Sequence, residues 1–372
     1  MNKTPTLPNL SDILSWRAAD TLNDACEQIN QHHERYCKRS VLEALKGEGS
    51  PDAKTTWERL NALSDKSASR ILHSPELFHH LLRRHREGSA PLKKFLQDSI
   101  TAELAVERRV LRLKAPVWTA LGDHYFPAGP TPHLKPHFQA DSLRDGILFD
   151  HCSPNARRPF QASSFREVRP GEAVALSAEE HTLARSRVNE VCERLAADGN
   201  PAYLLIKHNT RVVIPRKDTD NPNFFSSSSS RSFIGRTIII GGHLPDINAA
   251  QMTNSLIHEA LHSFLYKHEV ITPFVDAPNM GVKILLESPW SGGTININTY
   301  IHACFVYYAL LNYWYGLQNR ESFSSQTILE GIEKTIRGFE KGEMFKRLEP
   351  NRHHVRPEML DQLERIQQCA VA

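Results

Sequence analysis

An apolar segment from residue 247 to about residue 267 contains the run His-Glu-Ala-Leu-His at positions 258–262. Its apolar side chains recur at the three-to-four spacing of an α-helix, and Asp246 stands where an N-cap is expected. Residues 236–240 read Arg-Thr-Ile-Ile-Ile and are followed by two glycines, which is typical of a strand that ends there. The chain must therefore place two imidazoles and a carboxylate on an apolar helix that follows a strand.

The helical spacing lets His258 and His262 bind one metal ion. Residues four apart on a helix lie about 40° around the axis and about 6 Å along it, so both imidazoles can meet one cation. Glu259 projects beside them and can reach a metal-bound water as general base or orienting group. The alternative is a polar helix face, but burying these three groups without a partner would be costly. We therefore predict a metal site on this helix, which we call the motif helix.

Two later residues are candidates for a third ligand. Glu287 would complete a set of two histidines and one carboxylate, as in thermolysin-like zinc enzymes and some iron sites. His302 stands near the start of an apolar helix predicted for residues 300–314, which must pack against the motif helix. His268 is excluded, because a residue six positions beyond His262 on a continuing helix is rotated by about 120°. Spacing alone leaves Glu287 and His302 open.

The rest of the chain divides into three predicted parts. Residues 1–115 predict a helical N-terminal lobe, because apolar residues recur there at helical spacing. Residues 116–345 are predicted to form the metal-binding catalytic domain, which begins with loops rich in proline and glycine and with short strands. Residues 346–372 are predicted to form a C-terminal helical extension.

Three local patterns precede the motif helix. Ser177 and Glu180 form a Ser-x-x-Glu capping box for a helix over about residues 178–197. Residues 202–207 and 211–214 are β-rich and predict a hairpin. Residues 217–232 include five consecutive serines and predict a mobile loop.

Composition and charge exclude several classes of protein. The chain has 372 residues, 40% of them hydrophobic, and a net charge of only +3, so neither nucleic acid nor a membrane is an expected partner. The six cysteines form no Cys-x-x-Cys pair, and no stretch has the apolar character of a signal peptide or membrane span. We therefore expect a soluble, cytoplasmic protein.

Two segments carry a recognisable combination of motifs. They are residues 256–268 (LIHEALHSFLYKH) and 287–314 (ESPWSGGTININTYIHACFVYYALLNYW), with a Ser-Pro-Trp turn and a histidine that opens the second apolar helix. Over about residues 236–315 the chain thereby resembles the HEXXH-motif proteins of peptide natural-product clusters. Members of that family modify ribosomally made peptides, and some are iron(II)- and 2-oxoglutarate-dependent peptide β-hydroxylases. The resemblance implies that His258, His262 and His302 are metal ligands, and that Glu287 lies beside them or in the turn.

One departure from that family concerns the cosubstrate. Family members often carry an arginine soon after the Pro-Trp pair, whereas residues 291–294 of this chain read Ser-Gly-Gly-Thr. A 2-oxoglutarate enzyme needs a cation, commonly a bidentate arginine, for the distal carboxylate. Arg231 and Arg236, near the strand before the motif helix, are the candidates for this role. The alternative is that both are solvent-exposed loop arginines without a role in binding.

Together these patterns predict an α+β fold with a helical N-terminal lobe and a zincin-like core, in which a small sheet packs on the motif helix. The first expected function is iron(II)- and 2-oxoglutarate-dependent hydroxylation of a peptide substrate, with Glu259 orienting ligands or water. The second is a zinc metallopeptidase in which Glu259 activates a zinc-bound water. The third is a non-catalytic peptide-binding protein with a structural metal.

Overall fold

The computed structural model describes residues 9–109, 112–130, 136–156, 176–218, 220–276, 284–318, 320 and 322–371 of the chain. Residues 10–106 are mostly helical, and serine side chains start three of these helices. Ser50, Ser64 and Ser74 each accept a hydrogen bond from the backbone N–H three residues later. The helices are α1 (Leu10–Ile13), α2 (Ala19–Glu48), α3 (Pro51–Asn61), α4 (Asp65–Leu72), α5 (Pro75–Glu87) and α6 (Ala90–Val106).

In the described ranges, short strands form four small sheets. The strands are β1 (Arg112–Leu113), β2 (Val117–Trp118), β3 (His124–Phe126), β4 (Gly129–Pro130), β5 (Phe138–Gln139), β6 (Asp141–Ser142), β7 (Leu148–Phe149), β8 (Val212–Arg216), β9 (Ser226–Ser228), β10 (Arg236–Ile240), β11 (Leu285–Glu287) and β12 (Thr294–Asn296). The largest sheet has the order β6-β7-β8-β10-β9, and β8 pairs parallel with both β7 and β10. β9 pairs antiparallel with β10 and is an edge strand of this sheet.

Helices α9 (Ala249–Ile271) and α10 (Ile297–Tyr315) contribute most of their buried side chains to the largest apolar core. The remaining helices are α7 (Ala178–Ala197), α8 (Pro201–Asn209), α9 (Ala249–Ile271), α10 (Ile297–Tyr315), α11 (Ser325–Ile336), α12 (Glu343–Leu348) and α13 (Pro357–Val371). Short 3-10 segments cover Arg144–Gly146, Arg231–Phe233, Glu340–Gly342 and Glu349–His354. The core around α9 and α10 also takes buried side chains from α2, α7, α8 and α13. A second apolar cluster joins α2 to α3, α4, α5 and α6, so α2 contributes to both.

Several predicted elements are confirmed. The fold is α+β, and the strand at residues 236–240 is β10. Helix α7 begins at the predicted capping box, where Ser177 accepts from the backbone N–H of Glu180 and the Glu180 side chain accepts from the backbone N–H of Ser177. The two apolar helices of the motif region are α9 and α10.

The predicted hairpin at residues 202–214 is wrong, because its first half is helix α8. The Asn200 side chain accepts a hydrogen bond from the backbone N–H of Ala202, and Pro201 occupies the first turn, where its missing N–H costs nothing. The apolar residues that predicted a strand lie on the face of α8 that packs in the core. The second half is β8, whose partners are β7 and β10 rather than the preceding segment.

Two further local predictions need correction. Residues 226–228 lie in the segment predicted to be a mobile loop, but they form strand β9. Backbone hydrogen bonds to Ile238–Ile240 stabilise this strand, although serine has a low intrinsic preference for strands. The motif helix is capped by Asn248 rather than Asp246, in a reciprocal capping box with Gln251. Within the described ranges, none of the helices has both the length and the apolar character needed to cross a membrane.

Candidate functional site

The motif helix is α9, and its sequence explains how it presents the motif. The Asn248 cap sets its start, and its apolar side chains are buried in the largest core; examples with at most 1% exposure are Leu256, Ile257, Ala260 and Leu261. With these side chains locked in the core, the helix can present His258, Glu259 and His262 in a defined geometry.

The two histidines of the motif converge through the same ring atom. Nε2 of His258 lies 3.2 Å from Nε2 of His262, and the ring centroids are 4.8 Å apart. Two nitrogens that bind one ion at about 2.0–2.1 Å with tetrahedral geometry are roughly 3.3 Å apart. The spacing therefore fits a shared cation. It fits equally well a hydrogen bond between a protonated and an unprotonated ring nitrogen.

Burial keeps both rings in the neutral form that can bind a metal. Desolvation lowers the pKa of His258, and Lys334 lowers it further against the opposing effect of Glu259. Desolvation, together with His258 and His302, holds the pKa of His262 well below its usual range. At neutral pH neither imidazole has to lose an extra proton before its free nitrogen binds an ion.

The carboxylate of Glu259 is fixed by the sheet. Its Oε1 accepts a 2.7 Å hydrogen bond from Oγ of Ser227, which lies on the edge strand β9. Glu259 is only 3% exposed. Because a hydroxyl donor leaves the carboxylate able to accept further hydrogen bonds, Glu259 can still bind a water or ligand.

His302 lies on the other side of the His262 ring. Its Nδ1 is 3.3 Å from Nδ1 of His262, whereas His262 meets His258 through Nε2. Nε2 of His302 is 3.3 Å from Oε2 of Glu269. Burial raises the pKa of Glu269, but His302 together with Arg231 and His268 outweighs burial and lowers it overall. The four side chains thus form a row from Glu269 to His258, and the ligand role of His302 stays a prediction.

The other candidate ligand, Glu287, lies at the end of β11. Its carboxylate is 3.0 Å from Nη1 of Arg347, and its side chain is 58% exposed. No three or more His, Cys, Asp or Glu side chains in the described part of the chain are arranged to hold a metal ion. His258 and His262 therefore converge without a third such side chain in ligand geometry among the described residues.

A cavity of about 450 Å³ opens beside this pair. His258 and Glu259 form part of its wall, and Tyr307 of α10 adds an aromatic surface. Helix α11 contributes Glu330 and Lys334 from another side. The volume is within the range of small-molecule sites, and the lining combines the imidazole of His258 with acidic and basic groups.

The two arginines predicted to bind a cosubstrate lie in different surroundings. Nη1 of Arg236 is 3.3 Å from Oε1 of Glu76, and its guanidinium lies 3.4 Å from the ring centroid of Phe233. Arg231 lies in the 3-10 segment Arg231–Phe233, close enough to Glu269 to help lower the pKa of that carboxyl. Among the described residues that line the cavity, Lys334 is the only lysine or arginine.

Sequence reasoning missed three side chains of the site. Ser227 belongs to a run of serines for which a loop was predicted, and Glu269, near the end of the motif helix, was not predicted to take part in the site. Lys334 is brought to the cavity by α11, far along the chain from the motif. A single sequence carries no signal for Lys334, because its position depends on how α11 packs against α10.

His268 is buried beside Glu269, and its titration provides a test of the fold. Its ring packs 5.4 Å from that of Phe274, and burial lowers its pKa to about 4. As pH falls below about 6.5, the unfolded chain takes up a proton at this position and the folded chain does not. We expect the free energy of unfolding to decrease by up to about 3 kcal/mol between pH 6.5 and pH 4 from this residue alone.

Urea unfolding at several pH values measures this effect. His268→Gln should unfold with a weaker pH dependence than the wild type over that interval, because Gln does not titrate. His353→Gln, at an exposed position, is the control. Identical pH profiles for His268→Gln and the wild type would show that His268 is not held neutral.

Comparison with known proteins adds no assignment to this geometry. The chain matches no protein-family model, and no curated protein sequence is significantly similar to it.

Proposed function

We propose that the chain is a metal-dependent peptide-modifying enzyme, an iron(II)- and 2-oxoglutarate-dependent hydroxylase whose ion is bound by His258 and His262. The observation that carries the proposal is the 3.2 Å approach of Nε2 of His262 to Nε2 of His258, a residue that lines the cavity together with Glu259. Iron(II) and 2-oxoglutarate, when bound, supply the oxidising chemistry, and the ion needs open positions for it. The open cavity supports an ion with free coordination positions rather than a closed structural site with four protein ligands.

A zincin-like core is part of the proposal. Two contacts with the motif helix support it. The Ser227 hydroxyl of strand β9 donates to Glu259, and the backbone N–H of Gly235, directly before β10, donates to Oγ of Ser263 at 3.3 Å. Ser227 holds the Glu259 carboxylate in place, and Glu259 orients water or a ligand in the cavity. Preorganised hydrogen bonds of this kind keep the geometry of a reacting group fixed.

His302 is the proposed third ligand. With its Nδ1 against Nδ1 of His262 and its Nε2 against Glu269, it must reorient when the ion binds. Without that movement, Glu269 and His302 would instead orient the His262 ring from behind, as hydrogen-bonded carboxylates commonly do for metal-bound histidines. Both roles make His302 and Glu269 part of the same site.

Lys334 is the proposed partner of the distal carboxylate of 2-oxoglutarate. It lines the cavity with His258, whereas Arg236 is engaged with Glu76. Hydrogen bonds to charged groups contribute about 1.5–3 kcal/mol, so we expect Lys334→Met to raise the KM for 2-oxoglutarate by about 10- to 100-fold. Succinate formation at increasing 2-oxoglutarate concentrations measures the change. Lys207→Met, an exposed lysine on α8, is the matched control, and an equal KM in both variants would exclude Lys334 from this role.

A zinc metallopeptidase is the second candidate. The placement of Glu259 in the cavity wall favours it, since this carboxylate could take the proton of a water that attacks an amide. The proposed substrate is a peptide for both functions.

Metal analysis and product analysis separate the two functions. Protein purified without added metal is assayed for iron and zinc, and then incubated with 2-oxoglutarate, oxygen and a set of test peptides. Hydroxylation places one atom of O₂ in the peptide and the other in succinate, with release of CO₂. Bound iron and a peptide heavier by one oxygen atom support the proposal. Bound zinc and a cleaved peptide support the metallopeptidase and contradict the hydroxylase.

A further inference from the structure

A second cavity, of about 480 Å³, lies where the N-terminal helices meet the central sheet. Helix α4 lines it with Lys66 and Arg70, and the turn before β3 lines it with Asp123. Arg211, directly before β8, faces it from the side of the sheet. This cavity shares no lining residue with the one beside the motif helix.

Most of the charges around this cavity are paired with one another. Arg70 binds Oε1 of Glu103 through Nε at 3.0 Å and Oδ1 of Asp123 through Nη2 at 2.6 Å. The carboxylate of Asp145, which also lines the cavity, accepts a hydrogen bond from the Tyr203 hydroxyl. These contacts satisfy one cation and two anions of the lining within the protein.

Arg211 is the exception. Its Nε is shielded from solvent and has no hydrogen-bond partner, and no carboxylate of the described residues lies within ion-pairing distance of its guanidinium. Desolvation lowers the pKa of Arg211, and the opposing charge of Glu34 raises it only in part, because that carboxylate is already 2.9 Å from Nε2 of His73. Lys66 also lacks an ion pair within the described ranges, although it is exposed.

An unpaired guanidinium in such a position is costly, because arginine cannot release its proton at any ordinary pH. Lys66 is a second cation at the same cavity and adds to the excess of unpaired positive charge there. Both effects are relieved when an anion with several acceptor oxygens enters, since the guanidinium binds phosphate and carboxylate groups through two parallel hydrogen bonds.

We propose that this cavity binds a small molecule through a phosphate or carboxylate group, with Arg211 as its main partner and Lys66 as a second cation. The cavity is large enough for a metabolite rather than an inorganic ion alone. Because Lys66 comes from the N-terminal helices and Arg211 from the sheet, the ligand would bridge these two parts of the chain. The proposal does not depend on the metal site.

Calorimetric titration of the full chain with inorganic phosphate and, separately, with succinate tests the site. Saturable binding of either anion is expected, and Arg211→Gln should weaken it by about 10- to 100-fold. The tighter of the two probes identifies the group on the natural ligand. Arg39→Gln is the control, because Arg39 is 70% exposed and pairs with Glu43 on its own helix.

Lys66→Met keeps the test independent of any folding defect in Arg211→Gln, because Lys66 is exposed. It should weaken binding several-fold, and the Arg39→Gln control should not. Absence of saturable binding of both anions to the wild type would overturn the proposal. Unchanged affinity in both the Arg211 and the Lys66 variants would also overturn it.

Discussion

Glu259→Gln is expected to lower turnover by about 10²- to 10⁴-fold, the usual contribution of a positioned acid–base group, while the metal content stays unchanged. Gln keeps the size of the side chain and the oxygen that accepts the Ser227 hydrogen bond, so the local structure should persist. It removes the negative charge and the ability to take up a proton. Succinate formation and metal content, measured on the same preparation, separate a chemical defect from loss of the ion.

Glu333→Gln provides the comparison for this variant. Glu333 is an exposed carboxylate on α11, the helix that also carries Lys334. It should behave as the wild type in both measurements. Full activity of Glu259→Gln would show that neither the hydroxylase nor the metallopeptidase uses this carboxylate.

His258→Ala and His262→Ala are expected to lose bound metal almost completely. Removing a hydrogen-bond partner of a ligand commonly costs about 10- to 100-fold in metal affinity, and removing a ligand should cost more. The affinity for iron(II) or zinc, measured by competition with a chelator, gives the comparison. His353→Ala, at an exposed position, should retain the wild-type affinity.

The same titration assigns the role of His302. As a ligand, its replacement by Ala should be as damaging as that of His262. Glu269→Gln should then cost only the smaller factor of about 10- to 100-fold. If both variants show that smaller loss, His302 orients His262 and does not bind the ion. Wild-type affinity in His262→Ala would remove the metal site altogether.

What could be predicted from the sequence depended on how local its cause was. The Ser177 capping box and the apolar repeat of α9 act within one turn of helix, and both were predicted correctly. The approach of His258 and His262 is of the same kind, because helix geometry alone brings residues four apart together.

Tertiary contacts decided the elements that were mispredicted. Residues 202–207 contain strand-forming side chains, yet they form a helix that begins at Asn200 and Pro201. The apolar side chains of this helix pack in the largest core, which stabilises it. Ser226–Ser228 became a strand through pairing with β10, against the preference of serine. The position of Lys334 and the orientation of His302 likewise depend on how helices pack, which spacing along the chain does not encode.

The most direct measurement of the central claim is anomalous diffraction at the iron absorption edge from crystals of iron-loaded protein. We expect one strong peak about 2.0–2.2 Å from Nε2 of both His258 and His262, at the wall of the cavity that Glu259 lines. If the iron were bound elsewhere, and the two Nε2 atoms remained about 3.2 Å apart with no ion between them, the pair would be a hydrogen bond and not a metal site.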